Sequence, residues 1–394
     1  MVMANRSRSA SLSDVRAARE STVQSSEGMD SKVRVTKGFC YAVFAYDVAL
    51  SIDLKDAARR ISASKERGTI SQSSRTPHYL EFRPAPLRVV LDTKPLTIAE
   101  YTSSGSLEAL LYDFGALSVI YKIPLEGPIS RLAALSEELY ENQKLLAESR
   151  HRVEQLLALI GPAVERPSVA SYVEDYFIFH LESYPSSSGR PIWTRHHQEW
   201  AQILRSERSP LSEQEVKDAI SSRLSFRPHD AVIVDWNAAI LFGQDMEDVM
   251  AVLNFANVEL LEMRILDHQL DDSLDQAYEA LSKKLWRRLR LPGAIESDST
   301  RVAQLQVDSA ILFERVTNTL KLLGDQYLAR VYRLVSQRFH LAAWDASIIR
   351  KLQALDSIYG KMADQTATRR MEVLEWIIII LIAISIIIPF LPGP

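Results

Sequence analysis

Two adjacent histidines form the densest group of metal-binding side chain types in this sequence. His196 and His197 are followed closely by Glu199. A zinc-binding helix presents its two histidines four positions apart, whereas adjacent helical residues point about 100° apart. The spacing therefore favours an ordinary surface pair over a metal site, and we predict no metal ligands here.

An acidic stripe lies in a long predicted helix, and its members are Asp267, Asp271, Asp272 and Asp275, together with His268. A cation or a basic partner could bind such a stripe, but a solvated helix face is the simpler explanation. Asp267 differs from the others because it falls at an apolar seam position, where a lone charge is costly. We expect it to pair with an arginine of a neighbouring helix, and Arg330 and Arg333 are the candidates.

No motif in the chain indicates catalysis or a bound cofactor. The single cysteine, Cys40, excludes an intramolecular disulfide and a thiolate zinc cluster. Neither a GxGxxG nor a GxxxxGK phosphate loop is present, and no Ser-His-Asp or Cys-His signature appears. We therefore predict no catalytic residues and no cofactor, and a protein that is not an enzyme.

A short basic run is the best candidate for contact with a partner or with lipid, and it contains Lys283, Lys284, Trp286, Arg287, Arg288 and Arg290. These side chains could contact anionic lipid or RNA phosphates. They could equally be cations that complete a helix C-terminus just before Pro292, where they favour the helix dipole.

The C-terminal segment is apolar and uncharged from Trp376 to Leu391. Its sixteen residues span about 24 Å as a helix, close to the thickness of a thin hydrocarbon core. The pattern predicts a transmembrane anchor over residues 374–391, with Trp376, Ile377, Ile380, Ile384, Ile388 and Phe390 as anchoring side chains. Arg369 and Arg370 favour a single-pass protein of a bacterial or organellar inner membrane, with its bulk on the cytoplasmic-equivalent side.

Composition and periodicity divide the rest of the 394-residue chain into three parts. Its net charge of −4 gives no global signal for nucleic-acid binding. Residues 1–32 are rich in Ser and Arg and predict a disordered tail. Mixed strand and helix signals over 33–243 predict an α/β body, and a heptad seam that begins at Val249 predicts long antiparallel, coiled-coil-like helices over 244–370. The fold class is therefore α+β, ending in one transmembrane helix.

Two segments of the α/β body follow one pattern. Tyr112-Asp-Phe-Gly-Ala and Val234-Asp-Trp-Asn-Ala each join two apolar strands, and a long helix follows. Gly115 and Asn237 both tolerate the positive φ of a tight hairpin turn. Either the body is an internal duplication, with repeats over 33–165 and 166–290, or the two hairpins are similar by chance.

The C-terminal third resembles the required-for-meiotic-nuclear-division family, a domain of unknown function shared by bacteria, fungi and animal mitochondria. The resemblance is carried by NFANVELLEMRILDHQLD from Asn254, by NTLKLLGDQYLARVYRLV from Asn318, by Trp344 and Tyr359, and by RRMEVLEWIIIILIAI from Arg369. The first 230 residues are similar only in outline, which indicates a divergent, bacterial member. The resemblance implies membrane association and a link to mitochondrial translation, meiosis or sporulation, without an enzymatic activity.

Taken together, these features predict a membrane-anchored, non-catalytic scaffold or adaptor. Its long helices would self-associate or dock an unidentified protein partner, next to membrane lipid. The alternative is a membrane-tethered factor that binds RNA or the ribosome through the basic run from Lys283 to Arg290.

Overall fold

The computed structural model describes residues 34–65, 70–71, 84–184, 191–282 and 326–387. The strands are β1 (Arg34–Asp47), β2 (Ser51–Ile52), β3 (Ile70–Ser71), β4 (Leu87–Asp92), β5 (Thr97–Ile98), β6 (Tyr101–Thr102), β7 (Ser106–Leu111), β8 (Ala116–Pro128), β9 (Val164–Glu165), β10 (Val173–Ser183), β11 (Arg223–Leu224), β12 (Ala231–Val234) and β13 (Ala238–Phe242). The α-helices are α1 (Leu54–Lys65), α2 (Ser130–Leu139), α3 (Gln143–Ile160), α4 (His197–Arg205), α5 (Glu213–Ala219), α6 (Glu247–Ser282), α7 (Gln326–Arg338) and α8 (Leu341–Ile387).

A large mixed sheet organises the fold, in the strand order β11-β12-β13-β10-β1-β8-β7-β4-β3. Neighbouring strands are antiparallel except for β10 and β13, which run parallel. The apolar, aromatic run from Gly38 to Tyr46 is typical of a strand, and it lies in β1, at the centre of the sheet. The chain is therefore α+β, as its sequence indicates.

The sheet separates two hydrophobic cores. Alternate residues of β1 point to opposite sides, so Phe44 packs in one core while Val43 packs in the other. Helices α1 to α5 supply residues to the first core, and α6, α7 and α8 supply residues to the second. The result is three layers, helix on sheet on helix.

Apolar residues at helical spacing follow Ile129, but the helix that they form is interrupted. It is divided into α2 and α3, because Glu141 adopts a left-handed φ of 51°. Asn142 then caps α3, and its Oδ1 accepts a hydrogen bond from the Leu145 N–H at 2.9 Å. Apolar periodicity on both sides of this break hid it from the sequence.

The predicted heptad seam lies within α6, where Val249, Leu253, Ala256 and Leu270 are buried. The other helices described in the 244–370 region are α7 and the first part of α8. Ile348 and Leu355 of α8 are buried in the second core.

The C-terminal anchor is a prediction that the structure contradicts. Among the described residues, no helix carries an apolar stretch long enough for a bilayer crossing. The uncharged part of α8 runs from Trp376 to Ile387, about 18 Å of helix against a hydrocarbon core of roughly 30 Å. The predicted transmembrane helix over 374–391 and the single-pass membrane localisation that depended on it are therefore wrong.

Candidate functional site

The turn between β12 and β13 holds a fully buried carboxylate next to an exposed indole. Asp235 closes the turn by donating its N–H to the Ala238 carbonyl at 2.9 Å. The Asp235 side chain has no exposed surface, and its Oδ1 accepts the Trp236 N–H at 2.8 Å. Tyr176 of β10 donates its hydroxyl to the Asp235 carbonyl at 3.1 Å. The second hairpin is thus tied to the centre of the sheet, while Trp236 remains 48% exposed.

Two arginines from different helices surround this carboxylate. Arg338, the last residue of α7, donates through Nε and Nη2 to Asp235 Oδ1 at 2.8 and 2.6 Å. Arg205, at the end of α4, brings its Nε to 2.9 Å from Asp235 Oδ2 as an ion pair without hydrogen-bond geometry. Asp218 of α5 contacts both guanidinium groups, at 2.8 and 2.5 Å. Two cations and two carboxylates therefore connect α4, α5, α7 and the second hairpin.

Burial and charge act in opposite directions at the two carboxylates. Burial raises the pKa of Asp235 above its ordinary value, and the neighbouring Arg338 and Arg205 oppose that shift. Asp218 lies near the surface, and its pKa is lowered chiefly by the hydrogen bond from Arg338. Removing Asp235 would leave two guanidinium groups facing a buried gap, so this carboxylate stabilises the arrangement.

Aromatic rings lie at both ends of α7. The Arg338 guanidinium is 5.7 Å from the Trp236 ring centroid. The Trp236 and His340 ring centroids are 5.3 Å apart. At the other end of the helix, Tyr327 contacts Phe226 with ring centroids 5.3 Å apart. Phe226 is 64% exposed. These features give α7 and the adjoining loops a surface with two exposed aromatic side chains.

Asp267 is paired across the helical layer, as expected for a charge on an apolar seam. Its partner is Lys351 of α8, with Nζ 2.7 Å from Asp267 Oδ1, and not Arg330 or Arg333. Lys351 also contacts Asp271 at 2.7 Å, and Ser347 donates to Asp267 Oδ1 at 3.1 Å. The pairing of Asp267 is confirmed, and the candidate arginines were wrong because α8, which lies beside this part of α6, supplies the cation.

A second buried carboxyl joins α6 to α7 and was missed by the sequence reasoning. Glu259 accepts a hydrogen bond from the Tyr332 hydroxyl at 2.7 Å, and its residue is 3% exposed. Burial raises the pKa of Glu259 to about 7; the hydrogen bond opposes this shift and the charge of Asp345 adds to it. Glu259 lies just beside the apolar seam, where an exposed charge is the usual expectation, so the sequence carried no signal for it.

Within the part of the chain that the structure describes, the residues predicted as sites are not brought together. The basic run Lys283, Lys284, Trp286, Arg287, Arg288 and Arg290 lies outside the described residues. Trp376, Ile377 and Ile380 are exposed on α8, Ile384 also lies in α8, and Ile388 and Phe390 are outside the described residues. His196 approaches Glu199 only at 3.4 Å, and within the described part of the chain no three potential metal ligands cluster.

A family model matches the part of the chain that forms most of the sheet. A family model described as the N-terminal domain of the uncharacterized protein MJ0711 matches residues 37–248, which is more than half of the 394 residues. The chain therefore belongs to this family. The matched part runs from β1 to the start of α6 and includes both hairpins.

One curated relative is the uncharacterized protein MJ0711 of Methanocaldococcus jannaschii. It is 21% identical over 188 residues, which cover 47% of this chain and 57% of the archaeal protein. The chain thus spans just over half the length of the relative that it matches. No solved structure matches the chain.

The resemblance to the required-for-meiotic-nuclear-division family is wrong, since the matched family is a different one. The segments that carried the resemblance all begin beyond residue 248, outside the matched part of the chain. Apolar residues three and four positions apart recur in unrelated helical proteins because helix packing requires that spacing. Similarity of this kind did not identify the family, and no link to meiosis is found.

Proposed function

We propose that this protein is a non-catalytic scaffold that assembles with a second copy of itself through the distal part of α8, which runs from Trp376 to Ile387. The observation that carries the proposal is a continuous set of exposed apolar side chains. Trp376 and the residues from Ile377 to Ile382 are each 47–65% exposed, and Met371 is 63% exposed. An apolar surface of this kind on a folded chain indicates an interaction site.

The proximal part of α8 is packed quite differently. Ile348 and Leu355 are buried against the second core, and Lys351 pairs with Asp267 of α6. The distal part presents apolar side chains around the whole helix, and a helix that is apolar on all sides is expected to be buried. One helix therefore combines an intramolecular anchor with a projecting apolar surface.

A second copy is the partner that best fits this surface. The segment from Trp376 to Ile387 carries no charge, so two copies can pack side by side without like-charge repulsion. Symmetric pairs also bury the same patch on both subunits, and closed homo-oligomers are the commonest soluble assemblies. Isoleucines along such a seam favour assemblies of more than two helices. The α+β body would then be displayed at the end of a helical bundle, where it could bind a further protein.

Light scattering coupled to size exclusion tests the proposal on the full chain. We expect wild type to have at least twice the mass of one chain, and the variant Ile378→Glu with Leu381→Glu to have the mass of one chain. Arg350→Glu, at an exposed position of the proximal part of the same helix, is the control and should assemble like wild type. A monomeric wild type, or a double variant that still assembles, would overturn the proposal.

A factor that binds RNA or the ribosome was the alternative prediction. It depended on the basic run from Lys283 to Arg290, which lies outside the described residues, so it receives no support from the structure at that position.

A further inference from the structure

A strip of aromatic and cationic side chains runs along α7, and we call it the aromatic strip. Phe226 and Tyr327 lie at one end, with ring centroids 5.3 Å apart. Trp236, Arg338 and His340 lie at the other end. Tyr327 and Arg338 are eleven positions apart on α7, so the two ends are about 17 Å apart along the helix axis.

The strip carries an excess of positive charge. Arg227, Arg330, Arg333 and His340 are exposed. Within the described part of the chain, the three arginines make no ion pair. Tyr327 and Arg330 are three positions apart on the helix, so Arg330 lies beside the line that joins the two aromatic ends.

Carboxylates near the strip are already engaged. Asp235 and Asp218 are matched by Arg338 and Arg205. Asp230 turns its Oδ1 toward the chain and accepts the backbone N–H groups of Phe226 and Arg227 at 2.8 and 2.7 Å. Asp230 keeps its negative charge, but the three arginines outnumber it, so the surface along α7 has a net positive charge.

We propose that the aromatic strip binds single-stranded nucleic acid. Bases would stack on the exposed rings of Trp236 and Phe226, and phosphates would contact Arg227 and Arg330. Proteins that bind single strands combine a cationic surface with aromatic rings in this way, since every base has a face that can stack. This site shares no residue with the basic run predicted from the sequence or with the distal part of α8.

The exposure of the rings favours nucleic acid over an acidic protein segment. Protein hot spots lie in well-packed pockets that exclude water, surrounded by further contacts. Here the two rings are 48% and 64% exposed and stand apart, with charged side chains near the line between them. A base can stack on an isolated ring, whereas an apolar protein side chain would gain little from it.

The buried carboxylate of the second hairpin has a positioning role in this proposal. Asp235 fixes the Trp236 backbone through the 2.8 Å hydrogen bond to its N–H. It also holds Arg338 near the indole. Because Asp235 and Asp218 neutralise Arg338, this arginine orients the ring and contributes little to phosphate binding.

Fluorescence anisotropy with a labelled oligouridine of about ten nucleotides tests the proposal on the full chain. Wild type should bind, and its affinity should fall as salt rises, with a slope of about −0.7 per phosphate contact. Trp236→Ala should weaken binding roughly tenfold and leave the salt slope unchanged, because stacking carries no net charge. Arg330→Glu should weaken binding and reduce the magnitude of the slope by about 0.7 or more.

Lys144→Glu is the matched control, since Lys144 is exposed on α3 in the opposite helical layer. It makes the same change in charge and should bind like wild type. A deoxyribose oligonucleotide of equal length should respond to Trp236→Ala in the same way. Circular dichroism melting of each variant would show that the fold is intact.

The proposal is overturned if wild type does not bind either oligonucleotide. It is also overturned if Trp236→Ala and Arg330→Glu, with unchanged melting temperatures, bind as well as Lys144→Glu. Competition by polyglutamate as strong as that by unlabelled oligouridine would assign the strip to an acidic protein segment instead.

Discussion

The two hairpins follow one sequence pattern but occupy different environments. The first turn, between β7 and β8, is enclosed: Val48 donates its N–H to the Gly115 carbonyl at 2.9 Å, and Ile52 donates to the Asp113 carbonyl at 2.8 Å. The second turn, between β12 and β13, exposes Trp236 and buries Asp235 among arginines. An identical pattern of Asp, aromatic residue and Ala thus predicts a turn but not what surrounds it.

The hairpins also join the sheet differently. β8 pairs antiparallel with β1, whereas β13 pairs parallel with β10. Gly115 has the positive φ expected of a tight turn, at 94°, but Asn237 does not adopt a positive φ. The internal duplication stays a prediction. If the two hairpins arose by duplication, their strand pairing and turn conformation have since diverged.

The contrast teaches which residues of each turn matter. The first hairpin requires glycine at position 115, because a Cβ there would lie 1.8 Å from the Ala49 carbonyl oxygen. In the second hairpin the matching position, Asn237, does not require glycine, and the Asp235 carboxylate holds the turn through its contacts with Arg338 and Arg205. Three substitutions test whether the two hairpins are held in these different ways.

Gly115→Ala should have the largest effect. The new methyl group meets a backbone atom that cannot move aside, and φ is positive at this position, so we expect a loss of more than about 4 kcal/mol in the free energy of unfolding. Urea denaturation followed by circular dichroism measures this loss. Asn237→Ala in the other turn is the control and should cost less than about 1 kcal/mol. Equal losses in the two variants would show that the hairpins are fastened alike.

Asp235→Ala should be the next largest. It removes the carboxylate that faces Arg338 and Arg205 and leaves both cations partly buried, which costs roughly 3–5 kcal/mol. The same urea titration gives the magnitude. Asp113→Ala, at the matching position of the first hairpin, is the control and should cost less, because Asp113 is only partly buried whereas the Asp235 side chain has no exposed surface. If Asp235→Ala unfolds at the same urea concentration as wild type, the ion cluster does not stabilise the second hairpin.

Much of the sheet could be predicted from the sequence. The strand content over 33–243 and the two hairpins were predicted from apolar runs and turn residues, since these signals are local. The break at Glu141 could not be predicted because apolar periodicity continues on both sides of it. The parallel pairing of β10 with β13 could not be predicted because it joins distant parts of the chain, for which a single sequence carries no pattern.

The candidate site was much less accessible. Asp235 was visible only as a turn residue, and its partners Arg205 and Arg338 lie 30 and 103 positions away. No motif links them. Asp267 was recognisable because a charge interrupted a regular apolar seam, and its pairing was expected on that basis. Its partner Lys351 could not be chosen, since the sequence does not specify which helix lies beside α6 at that height.

The smallest of the three effects depends on pH and tests how each hairpin is attached to the helical layer. The first hairpin is attached by a neutral contact, in which Asn254 of α6 donates to the Tyr112 hydroxyl at 3.1 Å. The second hairpin is attached through α7, which docks on α6 by the hydrogen bond from Tyr332 to Glu259.

Burial raises the pKa of Glu259 from 4.5 to about 7 in the folded protein. A raised pKa means that the folded state binds the proton more tightly, so this contribution is full below about pH 4.5 and is lost as pH rises through about 7. The shift corresponds to about 3 kcal/mol at most.

We therefore expect the melting temperature to fall between pH 5 and pH 8, and Glu259→Gln, which stays neutral, to remove a large part of that fall. Asp47, whose pKa burial raises to about 6, contributes in the same direction, so the comparison is the difference between wild type and variant at each pH. Identical pH profiles for wild type and Glu259→Gln would show that Glu259 does not titrate in this range, and that both hairpins are attached by contacts insensitive to pH.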